Sequence, residues 1–352
     1  MPDWTSGMER DYEYYTVDPG TWKDVKRLTT IKSATISRDW EKDTLGSATI
    51  DADEMYGESY IRIYLVTIQN GIRERVPLGT FLVQTPSSSF DGRVSSSQLD
   101  AYTPLIELKE NQPPLGYYVA KDENVMDTVT RLTAEHTRAP VVGAVSTVAN
   151  YKDFVANTDD TWMTFLSDLA ANAKFYYALD ELGRIIFEPK QETDAMQPVW
   201  TYTDDNSSIL YPDIDIDHDL YGIPNVVEVI YSDEHDVYYA RVENNDENSP
   251  ISIQNRGREI VHRDTKPSLN GVPTQTMIDE YAEQLLEELS TLEYTISYKH
   301  GYNPVRIGDC IRMNYRAAGC KNIKARVISQ SIKCDSECSV SEKAVFTKKL
   351  WR

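Results

Sequence analysis

Long apolar runs are missing from this chain of 352 residues. None reaches the roughly 18–20 residues that a membrane-spanning helix needs, so no membrane insertion by this chain is expected. Catalytic signatures are missing as well. The five histidines, His136, His218, His235, His262 and His300, stand in no H-E-x-x-H array. There is no G-x-S-x-G elbow and no phosphate-cradling glycine loop. Among 56 Asp and Glu, nothing singles out a glycosidase carboxylate pair. The expectation is therefore a protein that is not an enzyme, with no catalytic residue, cofactor or metal. Basic residues are scarce, 36 against 56 acidic ones, for a net charge of −20. That argues against tight non-specific nucleic-acid binding, which needs Lys and Arg to displace counterions. The start, MPDWTSGMERDYEYY, has neither a basic opening nor an apolar core, so it is not expected to act as a secretory signal.

Cysteine is sparse and confined to the end of the chain: Cys310, Cys320, Cys334 and Cys338. Cys310 and Cys320 bracket an apparent hairpin, one near its base and one near its tip. At about 3.3 Å per residue that separation is too large for one ion. Cys334 and Cys338 flank the short turn Asp335-Ser336-Glu337. Free structural thiols, a Cys334–Cys338 disulfide and a metal site all remain open, with thiols as the main expectation. Phenylalanine is also scarce, 7 against 23 Tyr, a balance found on wet, half-buried faces and interfaces.

What is present is mostly strand. Residues 1–27 are polar and Tyr-rich and read as an N-terminal arm. Over 28–108 the chain alternates in short runs: Thr30 to Arg38, Gly46 to Asp51, Tyr60 to Gln69, Ile72 to Val76, Gly79 to Gln84 and Val94 to Tyr102. Asn70-Gly71 is a strong hairpin turn. Strands at such short spacing predict a barrel or sandwich. Residues 109–200 change character. Asn111-Gln112-Pro113-Pro114 reads as a linker, and Asp122 or Asn124 can cap a helix carrying Val125, Val129 and Leu132. At 159–189 the pattern is clearest. Asp159 or Asp160 can cap a helix whose stripe is Trp162, Phe165, Leu166, Leu169, Ala170 and Ala173. The runs Phe175 to Leu179 and Arg184 to Phe187 then make a hairpin around Asp180-Glu181-Leu182-Gly183. Trp162, Phe165 and Leu169 are the expected core of this α+β unit.

Residues 201–352 form a second β set with one packed helix at 274–290, capped by Thr274 or Thr276. Its entry contains Asp213-Ile214-Asp215-Ile216-Asp217-His218-Asp219, four aspartates on one face of a period-two strand. A calcium loop starting at Asp213 needs Gly at the sixth position and Glu at the twelfth, where the chain has His218 and Pro224. A strand with an acidic, solvated face is the default. The second β set is read as running to Trp351-Arg352.

Three stretches carry a resemblance. The first is the helix of form W-x-x-F-L-x-x-L-A followed by a hairpin ending G-x-I-x-F-x-P. The second is the strand Leu78-Gly79-Thr80-Phe81-Leu82-Val83 with the polar close at Asp100. The third is Pro304 through Gly308-Asp309 to Tyr315, with Ile311 where the pattern has Val. In this order they resemble the baseplate and tail-tip hub proteins of tailed bacteriophages, over most of residues 28–350. The resemblance implies a β-rich α+β fold: two tail-tube-like β-barrel or sandwich domains with an inserted small α+β region. It implies a homotrimeric virion structural protein, made in the host cytoplasm, that matches a six-fold tail tube to a three-fold tip. The implied partners are distal tail or tube ring proteins, a tape-measure protein and a central spike or tip protein. Genomic DNA would pass through at ejection without specific binding. An acidic wall keeps a polyanion mobile, so Asp51, Asp53, Asp213, Asp215, Asp217 and Asp219, with Glu54 beside the first pair, are candidate channel-lining residues. The competing readings are an all-β receptor- or glycan-binding tail module and a cell-wall hydrolase.

Overall fold

The computed structural model describes residues 2–90, 95–233, 236–268 and 273–351. The chain divides into two compact units, Met1–Ile214 with Ser297–Ala344 and Asp215–Ile296 with Val345–Arg352. The fold is β-rich α+β.

In the first unit, Tyr60–Gln69 is buried along most of its length. It pairs antiparallel with Ile72–Phe90 through the turn expected at Asn70-Gly71, where both residues take positive φ, 52° and 75°. Ile72–Phe90 pairs with Ser95–Tyr102, that strand with Gly46–Ala52, and that with Ile31–Asp39. The order is not sequential from there. Ile323–Cys334 pairs antiparallel with Ile31–Asp39, from Ser329↔Asp39 to Cys334↔Ala34. Strands from the two expected β sets thus share one sheet. Cys310–Asn314 joins Ile323–Cys334, and Trp200–Thr203 adds in parallel to Cys310–Asn314. The strand path is open and does not close into a ring.

The stretch 1–27 is built into this sheet. Glu9–Val17 pairs with Tyr60–Gln69 from Glu9↔Ile68 to Val17↔Tyr60, and with Asp24–Leu28 on its other side. Tyr14 and Val17 are buried, and Trp4 packs edge-on against Tyr302 at 5.1 Å. Burial in this strand does not alternate, since Glu13, Tyr14 and Val17 are all buried, so the strand carries no period-two signal in the sequence.

The α+β unit forms around two helices and a hairpin. Asn124 caps Val125–His136, accepting from the Asp127 amide at 3.1 Å. The next helix, Trp162–Asn172, is capped by Thr161 and not by Asp159 or Asp160. Thr161 Oγ1 accepts from the Thr164 amide, and Thr164 Oγ1 accepts in return from the Thr161 amide at 2.9 Å. This reciprocal box satisfies two orphan donors. Asp160 is occupied one turn earlier, accepting from the Asn157 amide at 2.8 Å. Trp162, Phe165 and Leu169 are 3%, 1% and 0% exposed. They share one cluster with Leu132, Tyr177, Ile185 and Phe187. Burial of each such side chain stabilises the fold by about 1.5–3 kcal/mol.

In the second unit, Val226–Ser232 is the centre of a three-stranded sheet, antiparallel to Val237–Glu243 and parallel to Val261–Asp264. The helix Gln275–Leu289 is capped by Thr274 and lays Ile278, Ala282 and Leu286 on Val227, Val229 and Ala240. The opposite face of the sheet is tied by Glu228, whose carboxylate accepts from Arg241 at 2.8 Å and from Arg263 at 2.6 Å.

Candidate functional site

The acidic candidates are at the surface. Asp51 and Asp53 are exposed; Asp51 accepts from Ser33 Oγ at 2.8 Å, and Asp53 pairs with Lys32 at 2.5 Å. Leu210–Asp217 is a strand on which Asp213, Asp215 and Asp217 are exposed while Ile214 and Ile216 are half-buried. Asp219 is also exposed and accepts from the Tyr221 amide at 2.7 Å.

One carbonyl of the α+β unit gathers several donors from the sheet of the first unit. The hairpin Phe175–Leu179 with Ile185–Pro189 turns through Asp180, whose Oδ1 accepts from the amides of Leu182 at 3.0 Å and Arg184 at 2.8 Å. This geometry throws the Leu182 carbonyl outward. It accepts from Trp22 Nε1 at 2.9 Å, Thr80 Oγ1 at 2.8 Å and Arg62 Nη2 at 3.3 Å. Arg62 is itself buried and donates through Nε to Thr80 and through Nη1 to Asp24, both at 2.8 Å. Gly183 follows at φ 73°, and a Cβ there would lie 2.7 Å from Thr80 Cβ. This set of donors holds the hairpin turn in position.

A buried polar centre in the first unit escaped the sequence reading. Glu342 and His300 have fully buried side chains, with Nε2 3.2 Å from Oε2. Tyr298 donates to Glu342 Oε2 at 2.6 Å, and Tyr202 lies 3.3 Å from the same oxygen. Gln330 donates to Glu342 Oε1 and, at 2.8 Å, to the Val305 carbonyl. Arg38 donates to Gln330 Oε1 at 3.1 Å and to the Leu78 carbonyl at 2.7 Å. Burial alone would push the Glu342 carboxyl up. The His300 charge and the hydrogen bonds from His300, Tyr298 and Gln330 outweigh it and hold Glu342 below the usual carboxylate range. Burial, reinforced by Glu342, drives both Tyr202 and Tyr298 far above an ordinary phenol. The available signal was positional. Val340, Glu342 and Ala344 alternate as the buried set of one strand, and Ile296, Tyr298 and His300 do so in another. A charge at an inward position is the mark of such a centre.

All four cysteines are free and buried. Burial raises each thiol, Cys334 most strongly. Among the described residues no group of three or more His, Cys, Asp or Glu could hold a metal ion, and no helix is long and apolar enough to cross a membrane. His235, read as part of an acidic turn, lies outside the described residues.

No family model matches the chain, and no curated protein matches it in sequence. Solved structures do match. A tail protein from Neisseria meningitidis superposes with a TM-score of 0.59 at 12% identity, over 97% of this chain and 98% of that one. The 43 kDa tail protein of prophage MuSo2 from Shewanella oneidensis gives 0.57 at 11% identity, over 95% and 98%. A chain of the Francisella PdpA–VgrG complex gives 0.57 at 8% identity, over 97% of this chain and 58% of that one. Over nearly its whole length, then, this chain has the β-rich α+β fold of these phage-type tail proteins.

Proposed function

We propose that the chain is the structural hub of a tail tip or baseplate. Three copies form a ring that joins a six-fold tail tube to a three-fold tip and supplies part of the DNA ejection channel. In this reading residues 28–108 and 201–352 provide the two tube-like elements, and 109–200 is the insertion between them. The hub acts in the virion without catalysis. Its partners are the ring proteins of the tube, the tape-measure protein and the central spike or tip protein.

The observation that carries the reading is the match over the whole length of two tail proteins, 98% of each. The same matches take in 97% and 95% of this chain. The net charge of −20 supports a conduit that DNA passes without adhering. Asp51, Asp53, Asp213, Asp215, Asp217 and Asp219 are the candidates for its wall, because they are exposed on strands and strand ends. The test is the mass of the purified chain in solution together with images of the particle. A trimer with an axial opening is expected. A chain that stays monomeric at high concentration and in the presence of tube protein refutes the hub.

A further inference from the structure

The partners of His300 fix the proton on one ring nitrogen and favour one on the other. Nδ1 lies 2.6 Å from the Gly301 carbonyl, which has no proton to offer, so Nδ1 carries one and donates it. Nε2 then faces two groups, Glu342 Oε2 at 3.2 Å and the Tyr202 hydroxyl at 3.2 Å. Tyr202 already accepts from Asn303 Nδ2 at 2.9 Å and has one proton left to give. If Nε2 is bare, its lone pair points at a fully buried carboxylate oxygen, and Tyr202 must turn its proton away from that carboxylate. If Nε2 carries a proton, every contact is a donor against an acceptor. Nε2–H donates to Glu342, and Tyr202 and Tyr298 donate to the same carboxylate.

We propose that the folded protein stores His300 as an imidazolium, and that this proton pins a clasp in the sheet of the first unit. The pin holds Glu342 as a carboxylate. Glu342 in turn orients Gln330, and Gln330 orients Arg38, which reaches the Leu78 carbonyl on another strand. The clasp therefore links Trp200–Thr203, Thr291–Gly301, Ile323–Cys334 and Ser339–Lys349 to Ile31–Asp39 and Ile72–Phe90. The titratable and charged groups facing it are Tyr202, Tyr298 and Glu342 at contact and Arg38 behind Gln330. No second cation touches Glu342 among the described contacts, so the imidazolium is its sole counter-charge. The device makes the joint between early and late strands sensitive to one proton. It is independent of the hub assignment.

A histidine in an unfolded chain titrates near about 6.5. A folded state that keeps the proton above that value binds one proton more than the unfolded state. Its folding equilibrium constant then falls about tenfold per pH unit as pH rises, until the clasp opens. The decisive experiment leaves the clasp untouched. The full chain is made with His136, His218, His235 and His262 replaced by Gln and the remaining histidine labelled with 15N. At pH 7.5 both ring nitrogens should show protonated shifts. One protonated and one bare nitrogen overturns the proposal. A second measurement compares urea unfolding of the natural chain and His300→Gln from pH 6.5 to 8.5. The natural chain should lose about tenfold more in folding constant per pH unit than the variant. Equal pH slopes overturn the proposal; should His300→Gln fail to fold, the nitrogen shifts alone decide.

Discussion

Replacing Gly183 by alanine tests the joint between the hairpin turn and the sheet of the first unit. Two costs are expected. The residue sits at φ 73°, a left-handed conformation that costs an L side chain about 1–2 kcal/mol. The new Cβ also meets Thr80 Cβ at 2.7 Å and Thr80 Cα at 3.4 Å. These atoms belong to a central strand and cannot swing aside, so crowding adds about 1–3 kcal/mol. Gly71 is the internal control, because it has φ 75° and nothing within 4 Å of its missing Cβ. Gly71→Ala should therefore show the backbone cost alone. Urea unfolding followed by tryptophan fluorescence reads both, with Trp22 and Trp162 on the affected side. Gly183→Ala should lie about 1–3 kcal/mol below Gly71→Ala in stability, with faster amide exchange at Leu182 and Arg184. Equal losses in the two variants would show that Thr80 does not confine the turn.

Phe165→Ala empties a fully buried aromatic site of the α+β unit and should destabilise by about 3–5 kcal/mol in the same titration; a loss under about 1 kcal/mol would remove the stripe from the core. Glu342 is held below its ordinary value in the folded state, so its contribution is present above the unfolded carboxyl's pH of about 4.3 and is lost as pH falls through the lower folded value. Stability of the natural chain over Glu342→Gln should thus shrink below that pH, and a gap that widens in acid would reverse the assignment. Because burial raises all four thiols, a thiol reagent should label the native chain slowly and the urea-unfolded chain at four sites; elemental analysis should show no bound zinc or iron, and one metal per chain lost on Cys334→Ser would contradict the free-thiol state. Asp213, Asp215 and Asp217 replaced together by Lys should leave particles assembled and slow DNA ejection; unchanged ejection kinetics would exclude this strand from the conduit.

Much was legible because local physics settled it. Asn70-Gly71 makes its turn since both residues tolerate left-handed backbone, and Tyr60–Gln69 with Ile72–Phe90 follow from that turn and their β-branched content. The stripe from Trp162 to Leu169 is set by a 3.6-residue period that no neighbour needs to supply. The acidic alternation from Asp213 to Asp217 makes an exposed strand face by period two alone. Capping was legible in kind but not in place, because Asp160 and Thr161 compete for one helix start and the choice fell to the partner at Thr164. Tertiary structure alone decided the rest. That Glu9–Val17 is a paired strand depends on Tyr60–Gln69, some fifty residues away, accepting its edge. That Ile323–Cys334 pairs with Ile31–Asp39 depends on which edges are left open once local hairpins have formed, and no local pattern encodes that. The Leu182 clamp and the Glu342–His300 centre gather Trp22, Arg62 and Thr80 in one case and Arg38, Tyr202 and Gln330 in the other. Single residues in strands far apart along the chain are brought to one point only when the sheet closes them off from water, where an unpaired polar group is costly and a complete network becomes the stable answer.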